Sequence, residues 1–225
     1  MYFPETRITM RSIFSPEGGL FRMTERLGNL VLLNWLYLIF CIPIITIGPA
    51  SAALRYVTLK YVTNEEDRVL APFLHSFRDN LKQGMAVGLL KLGIGIFLLL
   101  DLYYIWQIVG NGTIFNKVIL VVVALCCVVY FMAGRYIYPL QARYENSIRL
   151  MLRTAAVLAI RHLPATVCMS IISFAPVLLL MYTLPSAMLA LTFYFFIGFA
   201  AIAYLQDKFI VRIFWQYTPR EPTEE

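Results

Sequence analysis

The sequence has little charge for its length. Only 14% of its 225 residues are Asp, Glu, Lys or Arg, against about a quarter in a typical soluble domain. Hydrophobic residues make up 60% of the chain, and the mean hydropathy is +0.71. So few charges cannot cover a water-exposed surface, and the composition therefore excludes a soluble globular protein and predicts an integral membrane protein.

The sequence also lacks the residue patterns that catalysis requires. It contains no glycine-rich phosphate-binding loop and no HExxH helix. The only two histidines, His75 and His162, are far apart, and each lies in a charged stretch where a solvated or capping role is expected. The four cysteines lie inside apolar runs without metal-ligand or redox spacing: Cys41, Cys126, Cys127 and Cys168. We therefore expect no enzyme activity, no cofactor and no bound metal.

The net charge of +6 does not indicate nucleic-acid binding. The basic residues are distributed between the apolar runs and do not form one patch or stripe. This distribution is typical of membrane topology. The expected partner of the surface is therefore the lipid bilayer.

The apolar runs predict one all-α, polytopic membrane domain covering residues 1–225, with a polar tail over residues 1–20. A transmembrane helix needs about 20 apolar residues. About five transmembrane helices are predicted, at residues 27–47, 84–108, 114–137, 163–184 and 186–206. Pro43 and Pro176 are expected to kink the first and fourth of these helices. A tight turn is expected at 109–113, and another around Pro185.

The first apolar run is open to three interpretations. Residues 50–52, Ala-Ser-Ala, resemble a signal-peptide cleavage site, and arginines precede the run. The run is longer than a signal core and more spans follow it, which favours an uncleaved helix. Because Pro43 lies within the run, a bent or partly re-entrant segment is the third possibility.

Two charged connections are predicted to contain short amphipathic helices on the cytoplasmic side. The first covers residues 50–62 and 70–82, and the second covers 141–162. Their apolar stripes either lie on anionic lipid or anchor another subunit, with Phe73 and Phe77 as the aromatic anchor. The candidate docking residues are Phe73, Phe77, Arg78, Lys82, Arg143, Arg149 and Arg153.

The distribution of Lys and Arg predicts the orientation in the membrane. Thirteen of them follow the first, third and fifth predicted spans, whereas the opposite side has Lys117 and the four arginines of the N-terminal region. Because cytoplasmic connections are enriched in Lys and Arg, we expect a cytoplasmic C-terminus and an N-terminus outside. A re-entrant first segment would instead place the N-terminal tail inside.

Two charged residues, Lys91 and Asp101, lie within the second predicted span. Ten residues of helix separate them by about 80° around the axis and about 15 Å along it, which is too far for a direct ion pair. Either their side chains reach towards opposite interfaces, or they line a polar path for an ion or solute. Both interpretations remain open at this stage.

Five stretches of the sequence, in this order, resemble those of a known family. They are Gly28-Asn29-Leu30 through Asn34, IPIITIGPA at 42–50, FLHSFRDNLKQ at 73–83, YIYPLQARY at 136–144 and AIRHLP at 159–164. Together they resemble the YesL-like family of bacterial membrane proteins. The resemblance covers nearly the whole chain, apart from about the first 15 residues.

The resemblance implies an association with ATP-driven import of complex carbohydrates. On that basis we expect a non-catalytic accessory subunit of a bacterial carbohydrate (oligosaccharide) ABC import system, located in the plasma membrane beside permease subunits. ATP hydrolysis would come from a partner, and the family supplies no catalytic residues to transfer. The alternatives are a stand-alone small transporter or channel, and a membrane sensor partner of a two-component kinase.

Overall fold

A computed structural model describes residues 19–65, 68–109, 114–144 and 146–217. Throughout these residues the regular structure is helical, without a strand, which confirms the all-α class. The helices are α1 Gly19–Phe40, α2 Ile47–Thr63, α3 Leu70–Asp79, α4 Leu81–Val109, α5 Ile114–Arg143, α6 Ile148–Arg161, α7 Leu163–Tyr182, α8 Leu184–Phe193 and α9 Phe199–Tyr217. Most of the predicted tail and of the turn at 109–113 lies outside the described residues.

The described helices confirm a polytopic membrane protein. Three are long and apolar enough to cross a membrane: Leu81–Gln107, Ile114–Arg143 and Leu184–Tyr217. The third is a continuous helix formed by α8, a five-residue π segment (Tyr194–Gly198) and α9. Helices α6 and α7, which meet at 99°, pass the same test together and raise the number to four. Helix α1 is not among these spans, so the count of five stays a prediction.

The first predicted span, residues 27–47, is wrong at its C-terminal end. Helix α1 ends at Phe40, a short 3-10 turn follows Pro43, and α2 begins at Ile47. The Thr46 hydroxyl donates a hydrogen bond to the Phe40 carbonyl oxygen at 2.7 Å, which stabilises the break. Pro49 lies in the first turn of α2, where its missing N–H is not needed. It therefore begins a helix and does not end one.

Helices α1 and α2 form an antiparallel hairpin. At one end of it Arg26 Nη2 donates a hydrogen bond to Asn64 Oδ1 at 2.7 Å. Towards the other end the Tyr37 hydroxyl lies 3.4 Å from Ser51 Oγ. Because the beginning of α1 lies beside the end of α2, this arrangement favours the re-entrant interpretation of the first apolar run.

Helix α2 lies at the centre of the bundle. It packs against α1, α3, α4, α5 and α9, and 11 of its 17 residues are buried. It crosses α4 where Gly84 and Gly88 face Gly48 and Pro49: a Cβ at Gly88 would lie only 2.9 Å from Gly48 Cα. Small residues of this kind let two membrane helices approach closely. The prediction of a short cytoplasmic helix over residues 50–62 is therefore corrected to a buried central helix.

Three other boundaries differ from the predictions. Helix α3 ends at Asp79, so Lys82 belongs to α4. Helix α5 continues through Pro139 to Arg143, which shortens the second amphipathic segment to α6. The last helix continues past residue 206 to Tyr217, and its buried residues beyond that point are Asp207 and the apolar Ile210, Val211, Ile213 and Phe214.

The turn between α7 and α8 lies where the sequence predicts it, next to Pro185. Thr183 caps α8: its hydroxyl accepts a hydrogen bond from the Ser186 N–H, and Ser186 Oγ accepts one from the Thr183 N–H. Gln206 Nε2 donates to the Met169 carbonyl oxygen at 2.9 Å, so the last helix runs back along α7. The two helices therefore form the predicted antiparallel pair.

Candidate functional site

A cavity of about 400 Å³ lies inside the bundle, between α1, α2, α4, α5, α7 and the last long helix. Its wall contains three basic side chains, Arg55, Lys91 and Arg135. Four tyrosines and two serines also line it: Tyr37, Tyr130, Tyr138, Tyr194, Ser51 and Ser173. The cavity therefore combines positive charge, hydroxyl groups and aromatic rings in a protein whose outer surface is apolar.

The cavity lies nearer to one end of the bundle. Gln83 Nε2 donates to the Asn146 carbonyl oxygen at 2.6 Å, and the Tyr144 and Phe214 rings are 5.5 Å apart. These contacts bring together the start of α4 and the ends of α5 and α9. At 1.5 Å per residue, Lys91, Arg135 and Gln206 lie about 12–17 Å from that end along their helices. The same end has the basic connections that the sequence predicts to be cytoplasmic.

Arg55 is neutralised by a buried carboxylate. Its Nη1 lies 2.9 Å from Asp207 Oδ1 and 3.1 Å from the Ala203 carbonyl oxygen, and its Nη2 donates to Gln206 Oε1. Asp207 is completely buried and also accepts a hydrogen bond from the Thr58 hydroxyl. An ionised carboxylate inside a protein needs such a set of donors. This network joins α2 to α9.

Lys91 and Arg135 have no carboxylate partner among the described residues. Lys91 Nζ donates to the Gly134 carbonyl oxygen at 3.3 Å and lies 4.5 Å from the centre of the Tyr138 ring. Arg135 Nη1 donates to Ser173 Oγ at 2.5 Å, whereas its Nε is buried without a hydrogen-bond partner. The cavity therefore has two positive charges that no described acidic side chain neutralises.

The neighbours of these two cations fix their positions. Ser173 Oγ accepts hydrogen bonds from both Arg135 and Gln206, which ties the guanidinium to the Arg55 network. The Tyr130 hydroxyl donates to the Lys91 carbonyl oxygen at 2.6 Å. A Cβ at Gly134 would lie 3.3 Å from Lys91 Cε, so the glycine leaves room for the lysine side chain.

The structure separates the two predicted intramembrane residues. Lys91 lines the cavity, whereas Asp101, ten residues further along α4, does not. Sequence reasoning missed Arg135 because it counted this residue, near the end of the third predicted span, among the basic residues of the cytoplasmic side. It missed Asp207 because this residue follows the fifth predicted span, which ends at residue 206. One pattern could have found both residues: a charged residue at a position where the helical repeat of an apolar run continues. Such residues face the interior of a bundle.

The structure places the two aromatic docking candidates in the core. Phe73 is completely buried, 5.4 Å from the Phe40 ring, and Phe77 is half-buried, 4.7 Å from the same ring. This corrects the expectation that both lie on the surface. The five basic candidates are exposed: Arg78, Lys82, Arg143, Arg149 and Arg153. Docking at those residues stays a prediction.

A second polar cavity, of about 530 Å³, lies between α2, α3, the start of α4 and the end of α5. Gln141 projects into its wall, and neither its Nε2 nor its Oε1 has a hydrogen-bond partner in the described structure. An unsatisfied buried amide favours a bound water or another polar group. Within the described residues, no group of three or more His, Cys, Asp or Glu is placed to hold a metal ion.

The fold and the cavity define a polytopic helical membrane protein with a basic, hydroxyl-lined interior cavity. Residues 30–102 match the model of a family described as a protein of unknown function, DUF624. The match covers about a third of the chain, from α1 into α4, and includes Arg55 and Lys91 but neither Arg135 nor Asp207. No curated protein and no solved structure matches the chain.

Proposed function

We propose that this chain is a non-catalytic accessory membrane subunit of a bacterial carbohydrate (oligosaccharide) ABC import system. The resemblance to the YesL-like family supports this role, and the match over residues 30–102 is consistent with that resemblance. The structural observation that carries the proposal is the interior cavity, whose tyrosines, serines and cations provide polar contacts inside a membrane bundle. Few, well-placed polar groups in such a cavity are typical of small-molecule sites.

Copurification from native membranes tests the proposal. A tagged protein extracted in mild detergent should bring down the permease subunits of a sugar importer, and a deletion strain should take up that sugar more slowly. Isolation without any such subunit, together with normal uptake, would contradict the proposal.

The exposed basic residues allow a sharper version of this experiment. Arg149 and Arg153 lie on α6, at the end of the bundle predicted to be cytoplasmic, and the double variant Arg149→Ala/Arg153→Ala should release the permease without unfolding the protein. Lys117 is the matched control, because it lies near the start of α5, at the end of that helix that is remote from α6. Release by Lys117→Ala as well would indicate a general charge effect and not a docking surface.

A stand-alone transporter is the second candidate, and the unneutralised cations of the cavity favour it. In liposomes such a protein would move a solute without any partner, and Lys91→Gln would change the rate. Flux that requires added permease subunits would decide for the accessory role.

We also propose that the protein lies in the bacterial plasma membrane with a cytoplasmic C-terminus. The contact between Arg26 and Asn64 puts the start of α1 beside the end of α2. Leu59 of α2 belongs to the same hydrophobic cluster as Phe214 near the end of α9, and Val62 packs against that cluster. The start of α1 is therefore assigned to the cytoplasmic side, in place of the outside location that the charge distribution predicts.

Cysteine labelling tests this orientation. In a background with all four native cysteines changed to Ser, Glu25→Cys and Gln216→Cys should react with an impermeant maleimide only after permeabilisation. Ile114→Cys, at the opposite end of α5, should react in intact cells. Labelling of Glu25→Cys from outside would contradict this assignment and support the outside location that the charge distribution predicts.

A further inference from the structure

We infer that the cavity, together with an adjoining surface groove, binds an anionic phospholipid, with its phosphate between Arg135 and Lys91 and an acyl chain in the groove. This inference does not depend on the proposed import role. It rests on three observations: the charges of the cavity, the Arg135 Nε–H that has no partner, and the residues that the cavity shares with the groove.

Charge favours an anion in the cavity. Arg55, Lys91 and Arg135 line it, and the only described carboxylate that forms an ion pair with any of them, Asp207, is bound to Arg55. Isolated charges are strongly disfavoured away from water. The remaining two cations line the same cavity, and Lys91 Nζ contacts the carbonyl oxygen of Gly134, the residue before Arg135. A bound phosphodiester would compensate one of these two charges and could accept hydrogen bonds from both side chains.

The geometry of Arg135 fits a phosphate. Only Nη1 forms a hydrogen bond with described residues, to Ser173 Oγ, and Nε is without a partner. Nε and Nη2 form one edge of the guanidinium, and two parallel N–H groups on such an edge match two oxygens of a phosphate or carboxylate. Ser173 therefore holds Nη1, whereas the Nε–H of the opposite edge is buried without a partner and would gain one from a bound anion.

The adjoining groove indicates that the anion belongs to a lipid. An apolar groove of about 420 Å³ lies between α5 and α7, and it shares Phe131 and Phe174 with the cavity. The Arg135 guanidinium lies 5.5 Å from the centre of the Phe174 ring, at this junction. Along the groove Ile171 is 61% and Leu178 69% exposed, so the groove opens on the apolar surface. An acyl chain can therefore lie in the groove while its phosphate reaches the cations.

The position along the helices agrees with a headgroup site. Lys91 and Arg135 lie about 12–15 Å from the basic end of the bundle along their helices, whereas the hydrocarbon core is about 30 Å thick and longer helices extend beyond it. Basic pockets between transmembrane helices near the cytoplasmic side are known to bind anionic headgroups. A zwitterionic headgroup such as phosphatidylcholine would bring a further positive charge beside the two cations, which disfavours it relative to an anionic headgroup.

Lipid binding to the purified full-length protein tests the inference. Native mass spectrometry in mild detergent should detect bound phosphatidylglycerol at concentrations where phosphatidylcholine does not bind. Arg135→Gln and Lys91→Gln should each weaken phosphatidylglycerol binding about tenfold or more, as expected when charged hydrogen bonds are lost. Arg153→Gln, an exposed arginine on α6, is the matched control and should bind as the wild type does.

A groove variant separates a lipid from a soluble anion. Ile171→Trp fills the groove but lies outside the lining of the cavity, so it should weaken phosphatidylglycerol binding and leave any effect of glycerol 3-phosphate unchanged. Thermal stabilisation by inorganic phosphate or glycerol 3-phosphate equal to that by phosphatidylglycerol would overturn the lipid assignment. Full phosphatidylglycerol binding by both Arg135→Gln and Lys91→Gln would overturn the site itself. If Arg135→Gln does not fold, Lys91→Gln and Ile171→Trp still decide the question.

Discussion

Helices α2 and α4 cross each other, yet their sequences and environments are opposite. Helix α4 is strongly apolar, but only 6% of its most hydropathic window is buried within the protein. Helix α2 contains arginine, lysine and several hydroxyl residues, and most of it is buried. In a bilayer the outer surface contacts acyl chains, so hydropathy indicates contact with lipid and not burial in the core.

Around α2 the interior is therefore built from small residues and hydrogen-bonded polar groups. The first half of α2 is rich in Gly, Ala and Ser, which let α4 and α9 approach closely. Its polar side chains find fixed partners, such as Asp207 for Arg55 and Thr58. Four substitutions test this comparison, from the largest expected effect to the smallest.

Asp207→Ala should destabilise the fold most. It leaves the Arg55 guanidinium without its buried carboxylate, and breaking a buried ion pair from one side costs about 3–5 kcal/mol. Unfolding in a mild detergent titrated with SDS measures the loss. Asp101→Ala, which changes a half-buried carboxylate of α4, is the control. An equal loss of stability in both variants would mean that the Arg55–Asp207 network stabilises the fold no more than Asp101 does.

Gly88→Leu should separate α2 from α4 at their crossing. The new side chain would meet the backbone of Gly48, which cannot move aside cheaply, so we expect a loss of about 3 kcal/mol. Thermal unfolding followed by size-exclusion chromatography measures it. Gly93→Leu lies on the same helix with nothing within 4 Å of its Cβ and should unfold as the wild type does. Equal stability of the two variants would contradict the close crossing.

Asn34→Ala should weaken the contact between α1 and the π segment. Asn34 is completely buried, and its amide donates to the carbonyl oxygens of Tyr194 and Phe195 and accepts from the Ala200 N–H. These backbone groups would lose their partner, at a cost of about 2 kcal/mol. The same thermal assay measures it. If Asn34→Ala is as stable as the wild type while Asn34→Asp is not, the carbonyl oxygens of Tyr194 and Phe195 need no donor.

Phe97→Ala should have the smallest effect. Phe97 is 67% exposed on the lipid-facing side of α4, so its truncation should change the free energy of unfolding by less than about 0.5 kcal/mol. A loss as large as that of Gly88→Leu would show that this face of α4 packs against a partner. The result would then sharpen the comparison by identifying which apolar surface is not lipid-facing.

The outer helices were predictable from sequence, whereas the central helix was not. Long apolar runs such as Leu81–Gln107 are recognised because lipid contact requires them. Residues 47–63 have mixed polarity, and nothing in their spacing distinguishes a buried helix with satisfied polar groups from a cytoplasmic connection. The partner that resolves the ambiguity, Asp207, is 152 residues away from Arg55. No local pattern reports a contact at that separation.

The candidate site was predictable only in part. A lysine inside an apolar run marks Lys91 as unusual without any structure. Arg135 follows Gly134 near the end of a long run, where an arginine is equally typical of a cytoplasmic flank. Phe73 and Phe77 repeat with helical spacing, and that repeat is the same whether the stripe faces lipid, a partner or the core.

The distance along the chain between Arg55 and Asp207 has a consequence for biosynthesis. The ribosome adds about 5–20 residues per second, so the 152 residues that separate the pair take about 8–30 s to make. During that interval Arg55 is already synthesised but the carboxylate that neutralises it does not yet exist. Helix α2 can therefore take its central position only after the last helix has been inserted, and a nascent chain that stops before Asp207 leaves an uncompensated arginine at the membrane.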